Sequence, residues 1–225
     1  MSSNGRSRKG ATRARRRLVV LGSTGSVGQN ALAVAARFSD RIEVVGLAAA
    51  TRADLLTEQA ARFGVKHVAL ADVDAAARAR IPGGEAAILA LAELPEADIV
   101  LNAIVGAAGL RSSLAAVAAG KTLALANKES FVVAGELLTA TAKRTGAVIL
   151  PIDSEHNAAL QCLRHQGADE VERLVLTASG GPFRTTPAAE LKHVGLAEVL
   201  NHPTWSMGPR ITIDSATLLN KGFEV

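Results

Sequence analysis

Short apolar runs alternate with longer alanine-rich stretches between residues 18 and 150, and this alternation limits the folds that the chain can adopt. Strands separated by helices need right-handed crossover connections, which build a mostly parallel sheet covered by helices. Aromatic residues make up only 3% of the chain, so the core depends on Ala, Val, Leu and Ile. The predicted strands are Leu18–Leu21, Val44–Ala48, His67–Leu70, Ile99–Ala103, Thr122–Leu125 and Val148–Leu150. The predicted helices include Val27–Arg37, Ala53–Phe63, Leu110–Ala119 and Gly135–Arg144.

The residue composition of the sequence changes after Pro151. Gly, Pro, Ser and Thr become common from Thr177 to Pro209, and the apolar runs are isolated there. The sequence therefore predicts an α/β protein with a sheet domain at residues 18–150 and a second domain at residues 151–225. A long loop at about residues 179–210 of the second domain is typical of a lid over a site.

The basic residues are concentrated at the N-terminus. Residues 1–17 hold seven of the 25 Lys and Arg and no acid, which leaves 18 basic residues against 21 acidic ones in the remainder. We therefore predict a disordered, solubilising tail at residues 1–17 and no nucleic-acid partner for the folded part. A basic arm for anionic partners and a remnant of a targeting peptide are the alternatives for this tail.

A single cysteine, Cys162, excludes an internal disulfide and fits a reducing cytoplasm. Its neighbours Leu160 and Leu163 indicate a buried helix face, so we expect Cys162 to serve in packing. No apolar run approaches the length of a membrane span, and we expect no membrane partner.

Three glycines, Gly22, Gly25 and Gly28, follow a predicted strand and precede a predicted helix. Glycines in this context let the backbone approach a pyrophosphate, which then lies at the N-terminus of the helix. The spacing is G-x-x-G-x-x-G, and a plain strand–helix connection is the alternative. The turn residues that would contact the phosphates are Thr24, Ser26 and Val27.

The end of the second predicted strand reads Ala50-Thr51-Arg52, without the acid that usually binds the ribose of NAD. Arg52, with Thr51, is suited to a 2′-phosphate, so the sequence favours NADP over NAD. A helix cap followed by a surface arginine is the alternative. Asn102 and Gly106 lie at the end of a later strand, where a bound dinucleotide would pass.

Asp153, Ser154 and Glu155 place two carboxylates and a hydroxyl in consecutive positions. On an extended segment the two carboxylates point the same way, so both reach one divalent cation. The alternative is a helix N-cap, in which Asp153 or Ser154 accepts hydrogen bonds from free backbone N–H groups.

Five segments, taken in order, closely resemble those of the 1-deoxy-D-xylulose 5-phosphate reductoisomerase family. These are NADPH-dependent enzymes of the methylerythritol phosphate route to isoprenoid precursors. The resemblance runs from about Leu18 to the last residue, and five motifs in the right order make it specific. The segments are residues 22–28, 126–130, 176–183, 202–208 and 214–224.

The resemblance implies a Rossmann-like NADPH-binding domain followed by an α+β catalytic domain that is incomplete, because the family continues well beyond Val225. It also implies a sugar-phosphate substrate, Mg²⁺ or Mn²⁺ as cofactor, and a cytoplasmic enzyme that is a homodimer when full length. The expected reaction rearranges 1-deoxy-D-xylulose 5-phosphate and reduces the resulting aldehyde. A retro-aldol and aldol sequence and a concerted ketol shift are both open as the path of rearrangement.

The roles that the resemblance implies for single residues fall into four groups. The metal ligands are Asp153, Glu155 and Glu224, and the catalytic residues are Lys128, Asp153, Glu155 and His202. The substrate ligands are Lys128, Ser154, Glu155, Ser179, His202, Ser215, Asn220, Lys221 and Glu224. The NADPH contacts are Asn127, Glu129 and Gly208 together with Gly22, Ser23, Thr24, Gly25, Ser26, Val27, Ala50, Thr51 and Arg52.

Each of these residues taken alone has a simpler interpretation. Lys128 would be a solvated surface lysine, His202 a loop residue with a backbone hydrogen bond, Ser179 a turn residue and Asn220 a helix C-cap. Two further functions also stay open at this point. One is a catalytically silent chain that binds NADPH, and the other is a different Rossmann dehydrogenase such as a semialdehyde dehydrogenase.

Overall fold

The computed structural model of the chain describes residues 14–225, and six parallel strands form its central sheet. The strand order is β3-β2-β1-β4-β5-β6, so the order reverses between β1 and β4. The predicted α/β class with a parallel sheet is confirmed. The strands are β1 (Arg16–Leu21), β2 (Ile42–Ala49), β3 (His67–Leu70), β4 (Ile99–Asn102), β5 (Thr122–Leu125) and β6 (Val148–Pro151).

Ten α-helices and three 3₁₀ turns connect and follow these strands within the described residues. The helices are α1 (Ser26–Arg37), α2 (Ala53–Phe63), α3 (Val73–Ala79), α4 (Glu85–Ala92), α5 (Leu110–Ala118), α6 (Lys128–Thr145), α7 (Ser154–Leu163), α8 (Leu196–Val199), α9 (Pro209–Ala216) and α10 (Leu219–Gly222). The 3₁₀ turns are Gly106–Gly109, Ala168–Glu170 and Leu191–His193.

Helix α6 is longer than the sequence predicts. It starts at Lys128, where Asn127 caps it by accepting a hydrogen bond from the Ser130 amide at 2.7 Å. Ala134 interrupts it with non-helical angles (φ −139°, ψ 29°), so only the part after this kink corresponds to the predicted helix Gly135–Arg144. The missed first half begins at the motif that carries Lys128.

Two apolar clusters cover the two faces of the sheet. Alternate residues of β1 divide between them, with Val19 and Leu21 in one cluster and Leu18 and Val20 in the other. Burial on both faces explains why the strands are almost continuously apolar, as parallel strands usually are. Strand β1, in the middle of the sheet, is thereby fixed in register against β2 and β4.

The predicted tail at residues 1–17 extends too far, because Arg16 and Arg17 belong to β1. Arg17 pairs with Asp98, and the backbone amide of Arg17 donates to the same carboxylate at 2.8 Å. Arg16 donates to the hydroxyl of Thr122. Local composition places these arginines in the tail. In the sheet, however, Arg17 and Arg16 bind residues that lie 81 and 106 positions away in the sequence. Residues 1–13 lie outside the described residues.

Residues 152–225 contain helices and irregular segments and no strand. Within the expected lid at about residues 179–210 lie the short helix α8 and the start of α9. The expected packing role of Cys162 is wrong, because its side chain is exposed and α7 has no buried residue. Across the described part of the chain, no helix is long and apolar enough to span a membrane.

Candidate active site

The glycine turn lies at the carboxyl end of β1, beside the point where the strand order reverses. Gly22 has a φ of 86°, and a Cβ there would lie 2.7 Å from the carbonyl oxygen of Ala103. A Cβ on Gly28 would lie 2.3 Å from the carbonyl oxygen of Gly22, so this position also excludes a side chain. Gly25 precedes α1 without any side-chain cap, which leaves the helix N-terminus available to an anion.

Two glutamines stabilise this turn by hydrogen bonds to its backbone carbonyls. The Gln29 amide donates to the carbonyl of Thr24 at 2.9 Å, and the Gln59 amide donates to the carbonyl of Ser23 at 3.0 Å. Ser23 and Thr24 are buried, whereas Ser26 and Val27 face the cavity described below. Gln59 comes from α2, 36 residues away, and no local pattern marks it as part of the turn.

Asn127 joins α6 to the segment that follows β4. Its side-chain amide donates to the carbonyls of Ile104 and Gly106, while its side-chain oxygen caps α6. A Cβ on Gly109 would lie 3.0 Å from this amide nitrogen. Asn127 therefore fixes the loop at the carboxyl end of β4, and its side chain is already committed within the protein.

Asp153, Glu155 and Glu224 form a cluster in which one oxygen of each carboxylate lies within 4.8 Å of the others. Asp153 is at the same time the N-cap of α7, accepting from the His156 amide at 3.0 Å and contacting the His156 ring nitrogen Nδ1 at 2.8 Å. The capping interpretation is confirmed for Asp153, and its carboxylate also lies close to those of Glu155 and Glu224. The expected extended segment is wrong, because Ser154 and Glu155 form the first turn of α7.

Two lysines neutralise most of this negative charge. Lys128, the first residue of α6, donates to Glu224 and lies 3.8 Å from Asp153. Lys221 from α10 also donates to Glu224 and lies 3.4 Å from Glu155. The side chain of Glu224 is completely buried between the two ammonium groups.

The charges of this cluster shift two pKa values. Burial by itself raises the pKa of Glu155, but the hydrogen bond from Ser154 and the charge of Lys221 outweigh burial and lower it. Burial by itself lowers the pKa of Lys221, but the hydrogen bond to Glu224 and the nearby carboxylates outweigh burial and raise it. Both groups are therefore charged at neutral pH.

The cluster fits a hard divalent cation by its chemistry. Mg²⁺ and Mn²⁺ prefer oxygen ligands, and three carboxylates from α7 and the end of α10 converge here. Each oxygen of Glu224 contacts one of the two ammonium groups. An ion that takes an oxygen of Glu224 would therefore compete there with Lys128 or Lys221.

The backbone leading to Lys221 is strained. Leu218 precedes α10 with a φ of 60°, a left-handed conformation that costs an ordinary residue about 1 kcal/mol. The turn directs Asn220 into the cluster, where its side chain accepts from Lys128 at 3.1 Å and donates to Glu224 at 3.0 Å. The simpler interpretation of Asn220 as a helix C-cap is wrong, since the residue lies inside α10.

Ser179 and His202 meet on the other side of the cavity. The His202 ring nitrogen Nδ1 accepts from the amides of Thr204 and Trp205, so Nε2 carries the proton of the neutral ring. Nε2 lies 3.1 Å from the Ser179 hydroxyl, to which it donates. A Cβ on Gly181 would lie 2.8 Å from the carbonyl oxygen of Ser215, so this glycine lets the loop of Ser179 pack against α9.

One cavity of about 730 Å³ joins the glycine turn, the carboxylate cluster and the His202 loop. Glu224 is buried beneath it, and Thr51 and Arg52 line a separate groove. The structure therefore brings most of the predicted site residues to one place. Those that line the cavity are Ser26, Val27, Asn127, Lys128, Glu129, Asp153, Ser154, Glu155, Ser179, His202, Gly208, Ser215, Asn220 and Lys221.

Two family models match most of the chain. The model of 1-deoxy-D-xylulose 5-phosphate reductoisomerase matches residues 18–135, and the model of that enzyme's C-terminal domain matches residues 149–225. The chain belongs to the 1-deoxy-D-xylulose 5-phosphate reductoisomerase family. The predicted resemblance is confirmed, and the alternative of a semialdehyde dehydrogenase falls away.

Individual reductoisomerases support this assignment. That of Anaeromyxobacter dehalogenans strain 2CP-1 is 54% identical over 219 residues, covering 93% of this chain and 56% of the relative. That of Mycobacterium avium strain 104 is 56% identical over 220 residues, covering 96% of this chain and 53% of the relative. The chain thus spans about half the length of the curated relatives it matches.

Solved reductoisomerase structures superpose on the same part of the chain. A crystal structure of DOX-P reductoisomerase with NADPH, fosmidomycin and magnesium gives a TM-score of 0.84 at 40% identity, over 93% of this chain and 56% of that one. The Zymomonas mobilis reductoisomerase with NADPH gives 0.82 at 41% identity, over 94% and 56%.

Sequence reasoning missed Arg210, a further residue that lines the cavity. Arg210 in the first turn of α9 pairs with Glu129 of α6 and lies 3.8 Å from Asp214. Its guanidinium would be 3.1 Å from a Cβ on Gly106, so it reaches the loop after β4. The pair spans 81 positions, and Arg210 has no local feature that distinguishes it from a surface arginine.

Proposed function

We propose that this chain forms the cofactor- and substrate-binding part of an enzyme that converts 1-deoxy-D-xylulose 5-phosphate to 2-C-methyl-D-erythritol 4-phosphate. The reaction is a rearrangement of the carbon skeleton followed by reduction with NADPH. The observation that carries the proposal is the single cavity that joins a dinucleotide-type glycine turn to a three-carboxylate cluster. A reductase that must also stabilise an enolate-like charge needs these two parts side by side.

The cofactor part of the proposal rests on the geometry of the glycine turn. Gly22 and Gly28 have no room for side chains, and the free N-terminus of α1 favours a pyrophosphate. The related Zymomonas mobilis structure contains NADPH. When bound here, NADPH supplies the hydride for the reduction, and we assign its nicotinamide end to the region of Asn127, Glu129 and Gly208.

The metal part rests on Asp153, Glu155 and Glu224. A related reductoisomerase structure contains magnesium, and we propose Mg²⁺ or Mn²⁺ for this cluster. When bound, the cation supplies Lewis-acid stabilisation of negative charge on the ketone and hydroxyl oxygens of the substrate. The residues' own part is to hold three negative oxygens together, which they do through the α7 cap and the two lysines.

The substrate part rests on polar groups that surround the cluster. We assign the phosphate to Ser179, Ser215, Asn220 and Lys221, which offer two hydroxyls, an amide and an ammonium. Lys128 and Ser154 then contact the substrate hydroxyls. His202 positions Ser179 by the 3.1 Å contact between Nε2 and the serine hydroxyl, and the Trp205 loop next to it covers the site when it closes.

For assembly we propose that the full-length protein is a cytoplasmic homodimer. Apolar side chains on the surface of residues 152–225, such as Leu174 and Val175, support a partner surface there. Sedimentation velocity of the full-length protein tests this proposal, with a mass of two chains expected and a mass of one chain contradicting it.

The test of the proposed reaction is NADPH oxidation by the protein with 1-deoxy-D-xylulose 5-phosphate, with and without added Mn²⁺. We expect turnover that depends on the metal, and 2-C-methyl-D-erythritol 4-phosphate as the product. NADPH binding without turnover would instead support the alternative of a silent NADPH-binding chain.

A further inference from the structure

A second groove, of about 480 Å³, lies beside the glycine turn at the carboxyl end of β2. The amides of Gly22 and Ser23 both donate to the carbonyl of Ala48 in β2, at 2.9 and 2.8 Å, so the turn and the groove are rigidly joined. In dinucleotide-binding folds, the end of the second strand is where the adenosine ribose lies. The groove is therefore in the position of that ribose.

Two arginines from different helices line this groove. Arg52 is the N-cap residue of α2, and Arg78 is in the last turn of α3. Helix α3 is held there because the amides of Ala71 and Asp72 donate to the carbonyls of Ala49 and Ala50, at 2.9 and 3.0 Å. These bonds continue the pairing of β2 and β3 past the strand ends, so the position of Arg78 follows from the sheet.

The groove favours a doubly charged anion. Among residues 14–225, neither Arg52 nor Arg78 pairs with a carboxylate, whereas Arg15, Arg17, Arg111 and Arg210 do. The single acid that lines the groove is Asp54, so its net charge is about +1. Helix α2 adds an N-terminus without a side-chain cap, whose dipole favours negative charge.

We propose that Arg78, together with Arg52, binds the 2′-phosphate of NADPH and makes the site selective for NADPH over NADH. The inference rests on the proposed cofactor and adds a second specificity-determining residue, supplied by α3. Two guanidinium groups from different helices suit a phosphate monoester, which carries close to two negative charges and three acceptor oxygens. A competing role for Arg78 is purely structural, as a cation at the C-terminus of α3.

The test compares two ligands that differ only in the 2′-phosphate, adenosine 2′,5′-bisphosphate and adenosine 5′-monophosphate, by isothermal titration calorimetry. The Arg78→Gln variant should bind the bisphosphate roughly tenfold more weakly and the monophosphate unchanged. Arg78→Lys should recover part of the loss, since it restores the charge without the two-pronged geometry. Arg62→Gln, at the far end of α2, makes the same charge change away from the groove and should match the parent.

The outcomes separate the inference from the function on which it rests. Equal binding of the two ligands by the parent protein, or an equal loss for both in Arg78→Gln, overturns the role of Arg78 and leaves nucleotide binding intact. A lower melting temperature with an unchanged affinity ratio assigns Arg78 to the stability of α3, which also overturns the inference. Failure of the parent to bind either ligand or NADPH overturns the proposed cofactor itself.

Discussion

The sheet domain and the region after β6 are held together by different forces. All the buried apolar residues of both core clusters lie between Leu18 and Ala142. In residues 152–225, leaving aside the side chain of Ala168, the buried side chains are those of Thr212 and Glu224, both polar. The second region contacts the first through ion pairs such as Lys128–Glu224 and Arg210–Glu129.

The two halves of the candidate site are therefore maintained by different interactions. Apolar burial contributes about 25 cal/mol per Å² and does not depend on ligands. Ion pairs contribute little when exposed, and when buried they depend strongly on both partners being present. We therefore expect the glycine turn to be a fixed feature and the carboxylate cluster to respond to metal, phosphate and charge.

The largest expected effect on stability comes from the core of the sheet. Leu47 is completely buried, and Leu47→Ala should lower the free energy of unfolding by about 3 kcal/mol through lost burial and a cavity. Leu196→Ala removes the same atoms from a side chain that is 65% exposed and should change the free energy of unfolding by less than about 0.5 kcal/mol. Urea denaturation followed by far-ultraviolet circular dichroism measures both, and equal losses would contradict the comparison.

The second largest effect comes from the buried carboxylate of the cluster. Glu224→Gln leaves Lys128 and Lys221 without their shared charged partner and should weaken Mn²⁺ binding roughly a hundredfold, by about 3 kcal/mol. Hydrogen exchange in residues 209–225 should rise, while exchange in the sheet stays unchanged. Glu190→Gln, an exposed residue of the same region, is the matched control. Similar behaviour of the two variants would show that Glu224 does not organise the region.

A smaller effect is expected from a substitution of Lys221, which should change the affinities for Mn²⁺ and for inorganic phosphate in opposite directions. Its ammonium contacts Oε2 of Glu224 and lies 3.4 Å from Glu155, so Lys221→Gln removes a competitor of the metal. Mn²⁺ should bind severalfold more tightly in the absence of phosphate, while inorganic phosphate should bind roughly tenfold more weakly. Titrations with each ligand measure this, and Lys192→Gln is the control because it is exposed. A parallel change for both ligands would contradict the exchange of partners.

The smallest effect is expected at the ion pair that starts the sheet. The hydrogen bond from the Arg17 guanidinium holds the pKa of Asp98 below its ordinary value of 3.8. The stabilisation is therefore present above that value and is lost as the pH falls through the lower pKa of the folded state. Asp98→Asn should cost at most about 1 kcal/mol at neutral pH, because both side chains are partly exposed.

Unfolding free energies measured from neutral pH to about pH 2 test this prediction, and the difference between Asp98→Asn and the parent should vanish at the acid end. Asp40→Asn, which alters an exposed aspartate, is the control and should show no such trend. A difference that persists at low pH would assign the effect to packing instead of charge.

Local sequence patterns predict most strands of the central sheet well. His67–Leu70 and Thr122–Leu125 agree with the structure at both ends, because apolar runs buried on two faces leave an unambiguous local pattern. The glycine turn can also be predicted from the sequence, because Gly22 and Gly28 leave no room for a side chain. The five motifs also identify the family, because they occur in the right order and each contains polar side chains suited to the site.

The tertiary structure alone decides which side chains meet. The pairing of Lys128 with Glu224 joins residues 96 positions apart, and that of Arg210 with Glu129 joins residues 81 apart. Charged side chains carry no periodic pattern, so local sequence predicts a surface position for Lys128 and Arg210 alike, and only the family resemblance distinguishes Lys128. These residues find their partners because the carboxyl ends of the strands lie next to the last helices. The polar residues of both regions therefore line one cavity.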